Sequence, residues 1–154
     1  MTEVLFYHLE RKSLEDVLPG LVERSLERKW RALIKCESAD RAAALDNLLW
    51  TYDEQSFLPH AQLGEGDSGR QPALITLDEE NPNGASVLFL VGGATPPQWN
   101  GDLARSFSRI VILFEGRDPD ALAAARRQRT ECKAAEHEVT YWKQSAGGKW
   151  EKQA

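Results

Sequence analysis

Two runs in this chain, Val87-Leu88-Phe89-Leu90-Val91 and Ile110-Val111-Ile112-Leu113-Phe114, contain no polar residue. Side chains along a strand point alternately to opposite faces, so a strand apolar at every position must be covered on both. These two segments therefore belong at the centre of a sheet with helices above and below. The rest of the chain supplies suitable partners. Val4-Leu5-Phe6-Tyr7 reads as a first strand. Ser13 can N-cap a helix in which Leu14, Val17, Leu18, Leu21, Val22 and Leu26 recur at helical spacing. Pro19 interrupts that pattern, so the helix either kinks there or starts near it. Arg31 to Cys36 reads as a second strand, and Ser38 caps a second helix with Ala42, Leu45, Leu48 and Leu49 as its apolar stripe. This β-α-β-α alternation implies parallel strands joined by crossover helices. Ala73 to Leu77 is a third strand, Asn81-Pro82-Asn83-Gly84 a turn, and Asp102 to Phe107 a short helix. Asp118-Pro119 opens the last helix, which runs to about Glu136, and Val139 to Trp142 is a final strand. The expected class is α/β: a three-layer sandwich, its sheet mostly parallel with helices on both faces. It is Rossmann-like without a nucleotide-binding loop.

The chain of 154 residues, 42% of them hydrophobic, suits one compact domain with a real core. We expect that domain to span residues 1–143, followed by a polar C-terminal tail over 144–154. Thr51 to Gly69 is polar around an embedded Phe57-Leu58-Pro59-His60 and reads as a long surface loop. The net charge of −5 opposes any global attraction to nucleic acid or anionic membrane. There is no basic leader followed by an apolar run and no stretch long enough to span a bilayer, so a soluble, cytoplasmic protein is expected. The two cysteines, Cys36 and Cys132, lack ligand-like spacing and read as plain thiols in a reducing compartment.

Chemistry is hard to find. A nucleotide enzyme of this class needs a glycine-rich cradle after the first strand, because backbone N–H groups must approach the phosphates. The residues there are His8-Leu9-Glu10-Arg11-Lys12, with no glycine. Gly64-Glu65-Gly66-Asp67-Ser68-Gly69 spells the fingerprint but lies in the polar stretch, not between a strand and a helix. His8, His60 and His137 form no metal-binding pair, so neither metal nor cofactor is expected. His137 reads as a cation placed against a helix dipole, and His60 as a structural or contact residue. No serine sits in a nucleophile elbow.

Two features remain. Arg126, Arg129 and Lys133 are spaced i, i+3 and i+7 on the last helix and share one face. On composition alone, a solvated helix face accounts for them. Direct DNA binding through this stripe is disfavoured by the acidic chain, since such binding rests on phosphate neutralisation. The second feature is tryptophan usage, five in 154 residues. Most should pack on the sheet: Trp30 on the strand it precedes, Trp142 at the close of the last strand, Trp50 at a helix end. A tryptophan or tyrosine bordering a basic stripe is also what an interface for an acidic, aromatic-ended peptide would use.

Several segments, in order, resemble the chi-subunit family of bacterial DNA polymerase III. They begin with Phe6-Tyr7-His8-Leu9 and Leu18-Pro19-Gly20-Leu21-Val22-Glu23. The most specific part runs from Leu45-Asp46-Asn47-Leu48-Leu49-Trp50 to Ser56-Phe57-Leu58-Pro59-His60. Glu80-Asn81-Pro82-Asn83-Gly84, Val87 to Val91 and His137-Glu138-Val139-Thr140-Tyr141-Trp142 complete the series. The resemblance implies a non-catalytic accessory subunit of the clamp-loader complex, the polymerase activity belonging to the holoenzyme. It implies two protein partners: the acidic C-terminal tail of the single-stranded-DNA-binding protein, and a psi subunit or other clamp-loader component. DNA is contacted only indirectly. The family's tail site uses the last helix, and its residues map here onto Arg126, Arg129 and Lys133, with Trp50 matching a family tryptophan. One departure stands out. Where the family carries an aromatic and then a lysine, this chain has Arg129 and Thr130.

Overall fold

The first strand, β1 (Glu3–Leu9), is sandwiched between two parallel neighbours, β6 (Arg109–Glu115) and β7 (Glu138–Gln144). The structure is a computed structural model. It describes residues 2–10, 12–51, 60–62, 72–145 and 149–153, with Trp50, Ala61 and Gln62 by backbone alone. The remaining strands are β2 (Ala32–Lys35), β3 (Ala61–Gln62), β4 (Ala73–Thr76), β5 (Val87–Leu90) and β8 (Trp150–Gln153). The order across the sheet is β3-β4-β2-β5-β6-β1-β7-β8, all parallel except the β7–β8 pair. The chain is thus an α/β protein with a mostly parallel sheet. The two wholly apolar runs lie side by side at its middle, as two-faced burial demands.

Alternate residues feed two separate clusters. Leu5 and Leu9 of β1, Ile34 of β2, Phe89 of β5 and Val111 of β6 join Leu18 and Val22 of α1 (Leu14–Glu27) and Leu45 and Leu49 of α2 (Ala39–Thr51). Val4 and Phe6, Leu33, Leu88 and Ile110 instead join Ala104 of α3 (Asp102–Arg105), Phe107, and Ala125 and Cys132 of α4 (Pro119–Ala134). Burying each large apolar side chain contributes roughly 1.5–3 kcal/mol. Cys36 and Cys132 are both buried free thiols, and burial pushes the Cys132 thiol up to about 12.

Local signals explain the helix ends. Ser13 and Asp16 form a reciprocal capping box at the start of α1. The helix then runs straight through buried Pro19 rather than starting there, which leaves the Glu15 carbonyl without its usual N–H partner. The Ser38 hydroxyl accepts from Arg41 N–H at 3.1 Å, and the Asp118 carboxylate accepts from Asp120 and Ala121 ahead of Pro119. Both long outer helices end in Schellman turns built on non-glycine residues at positive φ, Lys29 (64°) after α1 and Glu136 (65°) after α4. In each, the residue after the left-handed one donates to the carbonyl five positions earlier: Trp30 to Ser25 and His137 to Cys132.

Four expectations change. The 51–69 stretch is not wholly loop: Thr51 closes α2, and Ala61–Gln62 forms an edge strand on β4, because buried His60 is anchored with Nε2 3.1 Å from both the carbonyl and Oδ1 of Asp46. The rest of that stretch, including the GxGxxG at 64–69, lies outside the described residues. The 144–154 segment is more than a polar tail. Gln144 belongs to β7, and Trp150–Gln153 pairs antiparallel with it, held by Trp150 edge-to-face on Tyr7 at 4.9 Å. Val139–Trp142 is accordingly not the last strand. His137 does not serve as an exposed helix-end cation: it is buried, and its ring bonds the Trp99 carbonyl.

Candidate functional site

The exposed side of α4 carries the basic stripe. Arg126 and Lys133 are exposed and Arg129 is half-buried, as expected for residues flanking the buried line of Ala125 and Cys132. The stripe does not stand alone. α4 packs over β6, β1 and β7, and the neighbouring β7 presents Tyr141 to it. The Arg129 guanidinium lies 5.2 Å from the Tyr141 ring centroid, a cation–π distance. Tyr141 is in register with Phe6 on β1 and stacks with it at 6.3 Å, and the Phe114 ring of β6 lies 6.0 Å away.

The phenol is fixed at its far end. The Tyr141 hydroxyl lies 2.7 Å from Nδ1 of His8, and it donates there when the imidazole proton is on Nε2, the nitrogen facing Glu10. Burial lowers the His8 pKa, opposed by Glu10, whose Oε1 lies 3.0 Å from Nε2. Lys143 reaches the same carboxylate at 3.6 Å. The His8 ring is hemmed in by Phe114 at 5.1 Å and by Gly116, where an added Cβ would come within 1.9 Å of Nε2. Burial raises the Tyr141 pKa, while the cations Arg126 and Arg129 pull it back. The result is a half-open aromatic surface, rigidly backed and bordered by Arg126, Arg129 and Lys143. It can pair carboxylates and lay a flat apolar group against a ring.

Of the expected site residues, the structure gathers Arg126 and Arg129 around Tyr141 and leaves Lys133 further along the same helix side. Trp50 is not brought to them. It sits at the end of α2, whose Ala42, Leu45 and Leu49 belong to the cluster across the sheet, and its side chain lies outside the described residues. Sequence reasoning missed Tyr141, His8 and Lys143. The available signal was parity: Tyr141 shares a strand face with Val139, which packs with the α4-side cluster.

The place where an enzyme of this class would work is the cleft at the carboxyl ends of the strands. Here it is a cavity of about 480 Å³ between the starts of α1 and α4. Its polar lining is acidic, Glu15, Glu115, Asp118 and Asp120, and its one lining arginine, Arg41, already pairs with Glu15 and Glu37 at 3.4 and 3.0 Å. A Cβ on Gly92, the glycine nearest such a cradle, would fall 1.7 Å from the Glu37 carboxylate. Carboxylates thus occupy the ground a phosphate would need.

A family model described as "DNA polymerase III chi subunit, HolC" matches residues 1–140. The chain belongs to this chi-subunit family. The DNA polymerase III subunit chi of Escherichia coli is 34% identical over 138 residues, covering 84% of this chain and 88% of that protein. Its counterpart in Haemophilus influenzae is 29% identical over 118 residues, covering 76% and 77%. A probable subunit chi of Rickettsia prowazekii is 28% identical over 117 residues, covering 75% and 71%. In this chi-family chain the matched region takes in β1, α4 and the first residues of β7, and it ends one residue before Tyr141. Among the described residues, no helix is long and apolar enough to cross a membrane.

Proposed function

We propose that this chain is a non-catalytic accessory subunit of the DNA polymerase III holoenzyme, acting in the cytoplasm during DNA replication. In this reading it links the clamp-loader complex to the single-stranded-DNA-binding protein by holding that protein's acidic C-terminal tail. The tail lies along α4, its carboxylates on Arg126, Arg129 and Lys133 and its terminal ring against Tyr141. A psi subunit or another clamp-loader component is the second partner. Neither a cofactor nor direct DNA contact is required. The fold serves as a three-layer, Rossmann-like frame whose recognition has left the strand-end cleft.

The observation that carries this reading is the Arg129–Tyr141 stack at 5.2 Å. The family pattern has an aromatic at position 129, and here that position is an arginine. Tyr141 answers the departure from the adjacent strand, so the surface keeps an aromatic wall and gains a guanidinium. The acid-lined cleft disfavours the rival reading, a nucleotide- or phosphate-handling enzyme, because like charges at its mouth would oppose a phosphate. Trp50, at the end of α2 across the sheet from α4, is not part of this surface.

The test is calorimetric titration with a synthetic tail peptide and with the same peptide lacking its last phenylalanine. A flexible ligand with few anchors should bind around the micromolar level, about −8 kcal/mol. Removing the phenylalanine should weaken binding at least tenfold. Equal affinity for the two peptides would remove the ring from the account.

A further inference from the structure

The flank of the sheet across from α4 carries a second aromatic and cationic surface, which the tail reading does not use. It also absorbs the unusual tryptophan content: Trp30, Trp142 and Trp150 are three of the five in the chain. The Schellman turn at Lys29 swings Trp30 back over the end of α1. There the Arg28 and Arg109 guanidiniums lie 5.5 and 5.1 Å from its ring centroid. A cleft of about 150 Å³, room for one apolar side chain, opens between Tyr7, Leu21, Arg24, Arg28, Trp30 and Arg109. From Tyr7 the surface continues outward across β7 and β8. Trp142 stands in register beside Tyr7, Lys152 opposite Trp142, and Trp150 edge-to-face on Tyr7. All four rings are only half-buried. α1 packs over β2 and β6, well short of β8, the outermost strand.

The charge there is one-sided. Glu3 answers Arg109 at 3.1 Å. Arg24 and Arg28 are exposed one helical turn apart, a spacing at which like charges repel. Complementing the dipole at the end of α1 explains a single cation well. It does not explain three guanidiniums gathered round an open apolar cleft in a chain of net charge −5. Tryptophan, tyrosine and arginine are the residues that dominate binding energy at protein interfaces.

We propose that this surface, from the end of α1 across β1 to β8, docks an acidic segment of a partner protein carrying one apolar anchor residue. The anchor enters the cleft against Trp30 and Tyr7, and flanking carboxylates pair with Arg24, Arg28 and Arg109. This docking is independent of tail binding at α4.

The test is an NMR titration of the full ¹⁵N-labelled chain with the capped peptide acetyl-Glu-Asp-Leu-Asp-Glu-amide, which has no α-carboxylate. The Trp30 indole N–H should shift and saturate. The same peptide with alanine for leucine should bind at least fivefold more weakly. Arg24→Gln/Arg28→Gln, on a spectrum otherwise native, should weaken binding about tenfold, while Arg126→Ala/Arg129→Ala should leave the Trp30 response unchanged. The proposal is overturned by a Trp30 resonance that stays still, by shifts confined to the Tyr141 surface, or by undiminished binding to the Arg24/Arg28 variant.

Discussion

The strand-end cleft and the α4–β7 surface lie close together and have opposite electrostatics. The cleft sits where this fold class places its chemistry, yet Glu15, Glu115, Asp118 and Asp120 line it. The α4–β7 surface carries exposed Arg126 and half-buried Arg129 and Lys143 near one tyrosine. The acids of the cleft have a structural use: Asp118 caps α4, and Glu15 and Asp120 lie in first turns, where negative charge is favoured. A helix start that caps itself with carboxylates no longer offers its N–H groups to a phosphate. The difference teaches that in this mostly parallel α/β sheet the strand-end cleft and the outer face of α4 carry charges of opposite sign.

The comparison can be broken by moving charge between the two regions. The largest effect is expected from charge reversal on α4. Arg126→Glu/Arg129→Glu should weaken tail-peptide binding by roughly 3 kcal/mol or more, since it removes two anchors and adds repulsion. Calorimetry should then detect no binding at micromolar protein. Arg126→Ala alone should cost about 2 kcal/mol if it is the central anchor. An unchanged affinity would move the anchor elsewhere.

A smaller effect separates the wall from the charges. Tyr141→Ala should cost roughly 1 kcal/mol of tail affinity, because the stacked guanidinium and the ligand ring both lose their partner. Tyr141→Phe should bind nearly as well as the parent, since the hydroxyl faces His8 and not the ligand. A larger loss for phenylalanine than for alanine would show the hydroxyl to be the contact. In the cleft, Asp118→Ala should lower stability by about 1 kcal/mol through the lost helix cap and leave tail affinity alone. Chemical denaturation and the same titration read both quantities.

The smallest expected effect is a pH dependence through His8. Burial holds its pKa below the ordinary 6.5, so the unfolded chain binds this proton more readily than the folded one. The stabilising preference for neutral imidazole is therefore complete above pH 6.5 and is lost as pH falls through the lowered folded value. Thermal melts of the parent should decline as pH falls from 6.5 to that lowered value, and His8→Asn should flatten the decline. Identical slopes for the two would place the acid sensitivity in other groups.

Much of the frame could be read from residues alone, for definite reasons. The Val87–Val91 and Ile110–Phe114 runs admit only central strands, and Ser13, Ser38 and Asp118 announce helix starts through their side-chain chemistry. The same local logic failed where tertiary contacts decide. Ala61–Gln62 and Trp150–Gln153 have weak strand patterns of their own, and become strands through the His60 anchor on Asp46 and the Trp150 contact with Tyr7. His137 looked like a helix-end cation because nothing in its neighbourhood of the chain reveals the Trp99 carbonyl 38 positions away. At the candidate site, helical spacing places Arg126, Arg129 and Lys133 on one side of α4. The wall was invisible for the opposite reason: Tyr141 reaches them through the β1–β7 register and is held by a histidine 133 positions earlier.

The central claim, that an acidic tail is recognised on the α4–β7 surface and not in the cleft, is tested most directly by one anisotropy titration. A labelled tail peptide is titrated at two salt concentrations with three proteins: the parent, Arg126→Ala/Arg129→Ala/Lys133→Ala, and a cleft variant, Glu15→Gln/Asp120→Asn. The account predicts parent binding that weakens with salt, loss of both binding and salt dependence in the α4 variant, and parent-like binding in the cleft variant. Full binding by the α4 triple variant, or loss confined to the cleft variant, would contradict it.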